Sequence, residues 1–216
     1  MQAGRIHTSK EVKTMARATS ATGTAPSLEP EDVRATLLRH VDANTRDFLD
    51  REGLRISIKF QEQELYPGGP NQYLAVDSGL WDGRKKAAEV FVNLYHQPVT
   101  LKYHGVVTPF TAYVDLVTTG EAYRGRGYAG ILLKLWTGYF DDELVSSYLI
   151  AYPMPQYHAT IKFDALVRFY QHAGYELGQQ PDPADVSSIM MRVPSKRRVA
   201  ALTLTRWVAL AAKAGL

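Results

Sequence analysis

Residues 118–140 read TTGEAYRGRGYAGILLKLWTGYF, two threonines followed by a glycine- and arginine-rich segment that runs directly into an apolar stretch. Glycine costs about 1 kcal/mol relative to alanine inside a helix, so Gly125, Gly127 and Gly130 make a poor first turn unless the backbone itself is needed there. A strand ending near Thr119, then Arg124-Gly125-Arg126-Gly127-Tyr128-Ala129, then a helix, is the arrangement of an anion site. Free N–H groups and the positive end of the helix dipole converge on one spot, and the glycines remove the Cβ atoms that would block approach. Two arginines add charge. The ligand expected from this physics is a phosphate or pyrophosphate.

Two familiar phosphate loops fit poorly. A Walker loop ends in Gly-Lys-Ser/Thr, which is absent. GRGYAG does match Gly-x-Gly-x-x-Gly through Gly125, Gly127 and Gly130. The acidic ribose partner that should follow about 20 residues later has no good candidate at the end of a second strand.

Outward from this segment the chain alternates helical and extended patterns. SLEPEDVRATLLRHVDANTRDFLDREG reads as one helix, capped by Ser27, carrying Val33, Leu37, Val41, Phe48 and Leu49 near the helical period, and stopped by Gly53. LRISIKFQEQEL alternates as a half-buried strand, and YPGGPNQ is a turn. AEVFVNLYHQ and PFTAYVDLVTT are strand-like, with PVTLKYHGVV between them partly extended. The glycine stretch opens a helix over about 127–140. SSYLIAYP is a short strand, IKFDALVRFYQHAGYEL a helix stopped at Gly174 with a strand from Tyr175, and SSIMMRVP a last strand. The expected fold class is α/β (α+β): a mixed, mostly antiparallel central sheet flanked by helices.

Two motifs in order carry a resemblance. Arg124-x-x-Gly127-x-Ala129, after a strand and opening a helix, resembles the acyl-CoA pyrophosphate motif of the GCN5-related N-acetyltransferase superfamily. About 45 residues later LVRFYQHAGYEL, residues 166–177, is similar to that family's late helix-and-strand motif. The motif-bearing region spans 111–193. Phe163 stands near the place of an asparagine frequent in the family, and the loop before Arg124 lacks the frequent proline.

The resemblance implies an acyl-CoA N-acyltransferase type of fold and an acetyl-CoA-dependent N-acetyltransferase, moving an acetyl group to a primary amine. Acetyl-CoA would lie between the strand ending at Thr119 and the strand SSYLIAYP. Backbone at Leu116, Val117, Thr118 and Thr119 would pair with its pantetheine arm. Arg124, Gly125, Arg126, Gly127, Tyr128, Ala129 and Gly130 would hold its pyrophosphate. Tyr170, four residues before Gly174, stands where the family often carries a tyrosine that protonates the leaving thiolate; the same residue also reads as a packed aromatic beside Leu166, Phe169 and Ala173. Asp115, with Tyr113 on its face of the strand, is the candidate base, and Glu121 a lesser one.

Composition bounds the alternatives. The chain has 216 residues, no cysteine and a net charge of +3. Without cysteine there is no disulfide, thiolate metal site or cysteine nucleophile, and a reducing, cytoplasmic setting is the expectation. His104, His158 and His172 lack metal-ligand spacing, so no metal is expected. No apolar run reaches a bilayer span. The positive charge belongs to the ends. Arg5, Lys10, Lys13 and Arg17 outnumber Glu11 in residues 1–27, and Lys196, Arg197, Arg198, Arg206 and Lys213 face no acid in 195–216, leaving 28–194 net acidic. Residues 1–27 read as a flexible tail, 28–194 as the catalytic domain, and 195–216 as a basic amphipathic helix that packs on the core or on a second subunit as a homodimer. The acidic middle favours a cationic acceptor, either a small-molecule or a protein amine. A non-catalytic acyl-CoA-binding module, and a nucleic-acid-binding module using the basic ends, are the competing readings, the latter not favoured.

Overall fold

The structure, a computed structural model, describes residues 28–64, 72–103, 106–152, 162–178 and 188–195. The N-terminal tail, the expected turn over YPGGPNQ save Gln72, which opens β2, and the C-terminal helix save Ser195 lie outside the described residues. Within them a seven-stranded sheet carries four helices: α1 (Pro30–Arg39), α2 (Ala43–Glu52), β1 (Leu54–Glu64), β2 (Gln72–Asp82), β3 (Lys85–Tyr103), β4 (Val106–Thr119), α3 (Tyr128–Asp142), β5 (Ser147–Ala151), α4 (Phe163–His172), β6 (Glu176–Leu177) and β7 (Ser188–Arg192). The strand order is β1-β2-β3-β4-β5-β7-β6. All neighbours are antiparallel except β4 and β5, which α3 connects as a crossover. The expected mixed, mostly antiparallel sheet flanked by helices is the observed one.

The single N-terminal helix expected from periodicity is two helices. α1 stops at Arg39, and Asp42 begins α2 by accepting the Thr45 amide at 2.7 Å. A good N-cap in mid-segment redirects the chain while both halves keep their apolar faces, Val33 and Leu37 in one and Leu49 in the other, on the core. The residue before α1 is Glu29, and Ser27 lies outside the described residues. Gly53 ends α2 in the left-handed region (φ 67°), as expected of a glycine there.

Strand β2 is absent from the expected elements, and its core face includes a serine. Leu74, Val76, Ser78 and Leu80 alternate inward, and the indole N–H of Trp136 in α3 donates to the Ser78 hydroxyl at 3.0 Å. The expected strand AEVFVNLYHQ continues through the first six residues of PVTLKYHGVV as one long strand, β3, interrupted by a register shift between Leu94 and Val99, and PFTAYVDLVTT lies in β4. Pro98 falls in that irregularity, where a missing ladder donor costs least.

The inward face of the sheet carries Val90, Val92 and Leu94 of β3 and Ala112 and Val114 of β4. Against it α3 packs Leu132, Leu133, Trp136 and Phe140, all almost fully buried. At the far end of the sheet Arg192, itself buried, donates to Asp141 at 2.8 Å and to the Ala173 carbonyl at 3.2 Å, tying β7 to the ends of α3 and α4.

Candidate functional site

The sheet forks between β4 and β5. Parallel pairing joins only Ala112, Tyr113 and Val114 to Ser147, Tyr148 and Leu149. Immediately beyond, Val92 pairs with Val114 but Phe91 pairs with Leu116, so Asp115 is the extra residue of a β-bulge. A bulge bends its strand and increases its twist. It also shifts the core-facing positions, from Ala112 and Val114 before it to Val117, opposite the buried Val90, after it. From Leu116 to Thr119 β4 keeps its bonds to β3, whereas β5 continues alongside β7 through Ala151. Among the described residues no strand pairs with Leu116, Val117, Thr118 and Thr119 on the side facing β5.

The glycine segment stands at the open end of this fork. Gly120 donates to the Ala87 carbonyl at 2.9 Å, and a 3₁₀ turn over Glu121–Tyr123 follows, pinned by the Tyr123 hydroxyl on Asp82 at 2.9 Å. Gly125 (φ 76°) and Gly127 (φ 79°) are left-handed, and among the described residues nothing beyond their chain neighbours lies within 4 Å of where a Cβ would project from either. This is an open cradle, as a ligand approaching the backbone requires. The first intrahelical bond of α3 runs from the Ile131 amide to the Gly127 carbonyl at 3.1 Å, so the amides of Tyr128, Ala129 and Gly130 have no acceptor inside the helix. Arg124 and Arg126 are exposed beside them. Tyr128 contributes only its amide here: its ring is buried and its hydroxyl donates to Glu52 of α2 at 2.9 Å. Arg126 also faces Glu52, at 3.9 Å.

At the closed end of the fork tyrosines gather. Tyr113 and Tyr148 stack with centroids 4.5 Å apart, and Phe110 meets Tyr148 at 4.8 Å. Burial, then the Asp115 carboxylate, pushes the Tyr113 phenol well above its ordinary value. Burial and the neighbouring Tyr95 and Tyr113 phenols do the same to Tyr148, and Tyr95 is raised chiefly by burial. All three therefore stay neutral at physiological pH. Asp115 itself is exposed, on the face of β4 that it shares with Tyr113.

Tyr170 of α4 is 6% exposed and packs edge-on against Phe169 (5.2 Å) and Tyr175 (6.2 Å). Burial raises its phenol, with Tyr175 and Tyr113 adding to the effect, so it holds its proton. α4, which carries Tyr170, passes close to the first turn of α3, where a Cβ on Gly130 would lie 3.8 Å from Phe169. Asp115 and the free stretch of β4 lie on the strand that runs into the glycine segment. Glu121 lies in the exposed turn past β4. The sequence reading missed Tyr95, Tyr148 and Asn93, which reach the site only through cross-strand register, a relation with no local signature. Among the described residues no cluster of His, Cys, Asp and Glu could hold a metal ion, and no helix is long and apolar enough to cross a membrane.

No family model and no curated protein matches the chain. Among solved structures, the acetoin utilization protein from Exiguobacterium sibiricum matches at 10% identity with a TM-score of 0.42, covering 69% of this chain and 93% of that one.

Proposed function

We propose that the chain is an acetyl-CoA-dependent N-acetyltransferase acting on a primary amine. The observation that carries the reading is the bulge-driven fork between β4 and β5, which opens onto an uncapped, glycine-led helix start. An acyl-CoA has both matching parts: a pyrophosphate for the amides of residues 125–130 with Arg124 and Arg126, and an amide-bearing arm that can bond to the free backbone of Leu116–Thr119. In the reaction the neutral amine attacks the thioester carbonyl, the C–N bond forms, the C–S bond breaks, and the thiol leaves with a proton. Asp115 takes the proton that the amine sheds, and Tyr170 supplies the one that the sulfur needs.

Calorimetric titration with acetyl-CoA tests the reading, beside Gly127→Glu, which places a carboxylate in the open cradle. Binding by the wild type and its loss in the variant support the assignment; no binding by the folded wild type overturns it. A second reading, an acyl-CoA-binding module without chemistry, is favoured by the packing of Tyr170 between Phe169 and Tyr175. Tyr170→Phe separates the two: an enzyme loses turnover at unchanged acetyl-CoA affinity, whereas a binding module has no turnover to lose.

A further inference from the structure

The acetyl donor accounts for one side of the fork. On the sheet face away from α3, Ala75, Asn93, Tyr113 and Tyr148 form one cross-strand row through β2, β3, β4 and β5. Tyr95 lies two residues along β3 from Asn93, and Asp115 two residues along β4 from Tyr113, so both border the row. Asn93 Oδ1 is buried and, among the described residues, has no hydrogen-bond partner. A buried carbonyl oxygen without a donor is destabilising, and an N–H group of a bound molecule would relieve it.

We propose that Asn93, Asp115 and the Tyr113–Tyr148 stack form the acceptor cradle, and that it selects primary amines with no carboxylate next to the nitrogen. The inference rests on the acetyl-transfer reading and specifies its second substrate. The chemistry of the cradle is one-sided. Asn93 Oδ1 and the Asp115 carboxylate accept hydrogen bonds, and the stacked rings beside them add an apolar, aromatic wall with no positive charge. Their phenols are neutral, which leaves Asp115 the formal charge of the group. An incoming ammonium finds partners for its N–H groups; a carboxylate on the adjacent carbon meets another carboxylate and an unpaired carbonyl oxygen. Selectivity therefore arises from repulsion as much as attraction. Asp115, which orients the ammonium, is also the group that removes its proton before attack.

The test uses three probes that share one aromatic body: benzylamine, phenylglycine (the same amine with an adjacent carboxylate) and benzyltrimethylammonium (the same cation without N–H donors). Each is titrated calorimetrically into the wild-type chain, Asn93→Leu and Asp115→Asn, with acetyl-CoA titrated separately into all three proteins. Benzylamine is expected to bind, with phenylglycine and benzyltrimethylammonium each weaker by about tenfold or more, and each substitution weakening benzylamine by about tenfold while sparing acetyl-CoA. Equal binding of benzylamine and phenylglycine, or benzylamine affinity unchanged in Asp115→Asn, overturns the proposal. Because Asp115 is exposed, that variant stays informative even where Asn93→Leu fails to fold. Benzylamine binding without acetyl-CoA binding sinks acetyl transfer and keeps the cradle. Acetyl-CoA binding without benzylamine binding does the reverse.

Discussion

The Tyr128 hydroxyl donates to Glu52 at 2.9 Å, so a carboxylate from α2 sits against the arginine-bearing start of α3, with Arg126 3.9 Å from the same acid. Glu52 competes with any anion for that arginine. Glu52→Gln keeps a hydrogen-bond acceptor for Tyr128 and removes the charge. Acetyl-CoA affinity is expected to rise by a few fold at low salt, and the gain should shrink as salt is added. Calorimetry at two ionic strengths checks it; a loss of affinity would mean that Glu52 orders the loop rather than restrains it.

Gly138 is needed for a different reason from the loop glycines. A Cβ there would lie 2.5 Å from Nδ1 of His40, at the end of α1. Gly138→Ala is expected to cost about 1–3 kcal/mol by overpacking, measured by denaturant unfolding. Adding His40→Ala should recover part of the loss, because the clash is pairwise.

The buried bond from Trp136 to Ser78 predicts an asymmetry. Ser78→Ala leaves the indole N–H without an acceptor and is expected to cost about 1–3 kcal/mol. In Trp136→Phe with Ser78→Ala neither partner remains, so the double variant should lose less than the two single losses added together. Chemical denaturation of all four proteins closes the cycle.

Asp42 supplies a pH signature. The Thr45 hydrogen bonds, and then Lys134 at 2.9 Å, hold its carboxyl well below the usual carboxylate range. A folded-state pKa below the unfolded value gives stability that is present above about pH 4 and is lost as the pH falls through the folded value. Asp42→Ala should therefore lower Tm at pH 7, and the gap to the wild type should narrow as the pH drops below about 4. A gap that is constant with pH would assign the effect to helix propensity instead of the cap. The site is exposed, so the difference is small and sensitive to salt.

Local physics in the sequence was enough to determine the glycine-led start of α3, the stop at Gly53, the apolar face of α3 and the alternation of β1, because each depends on neighbours within a few residues. Those signals sufficed for the sheet class and for one end of the candidate site. The division of the first helix was also written locally, in Asp42 and Thr45, but a continuous apolar period masked it. Other features depend on contacts far apart in the chain. Ser78 could lie in the core only because Trp136, 58 residues away, donates to it. Asp115 became a bulge because β3 pairs with Val114 and then with Leu116. Asn93, Tyr113 and Tyr148 became neighbours through strand register, which is set when side chains from three separate strands pack on one face. Tertiary structure alone decided the fork and the cradle, since a one-residue slip in pairing leaves the sequence unchanged and turns every side chain of the strand to the other face.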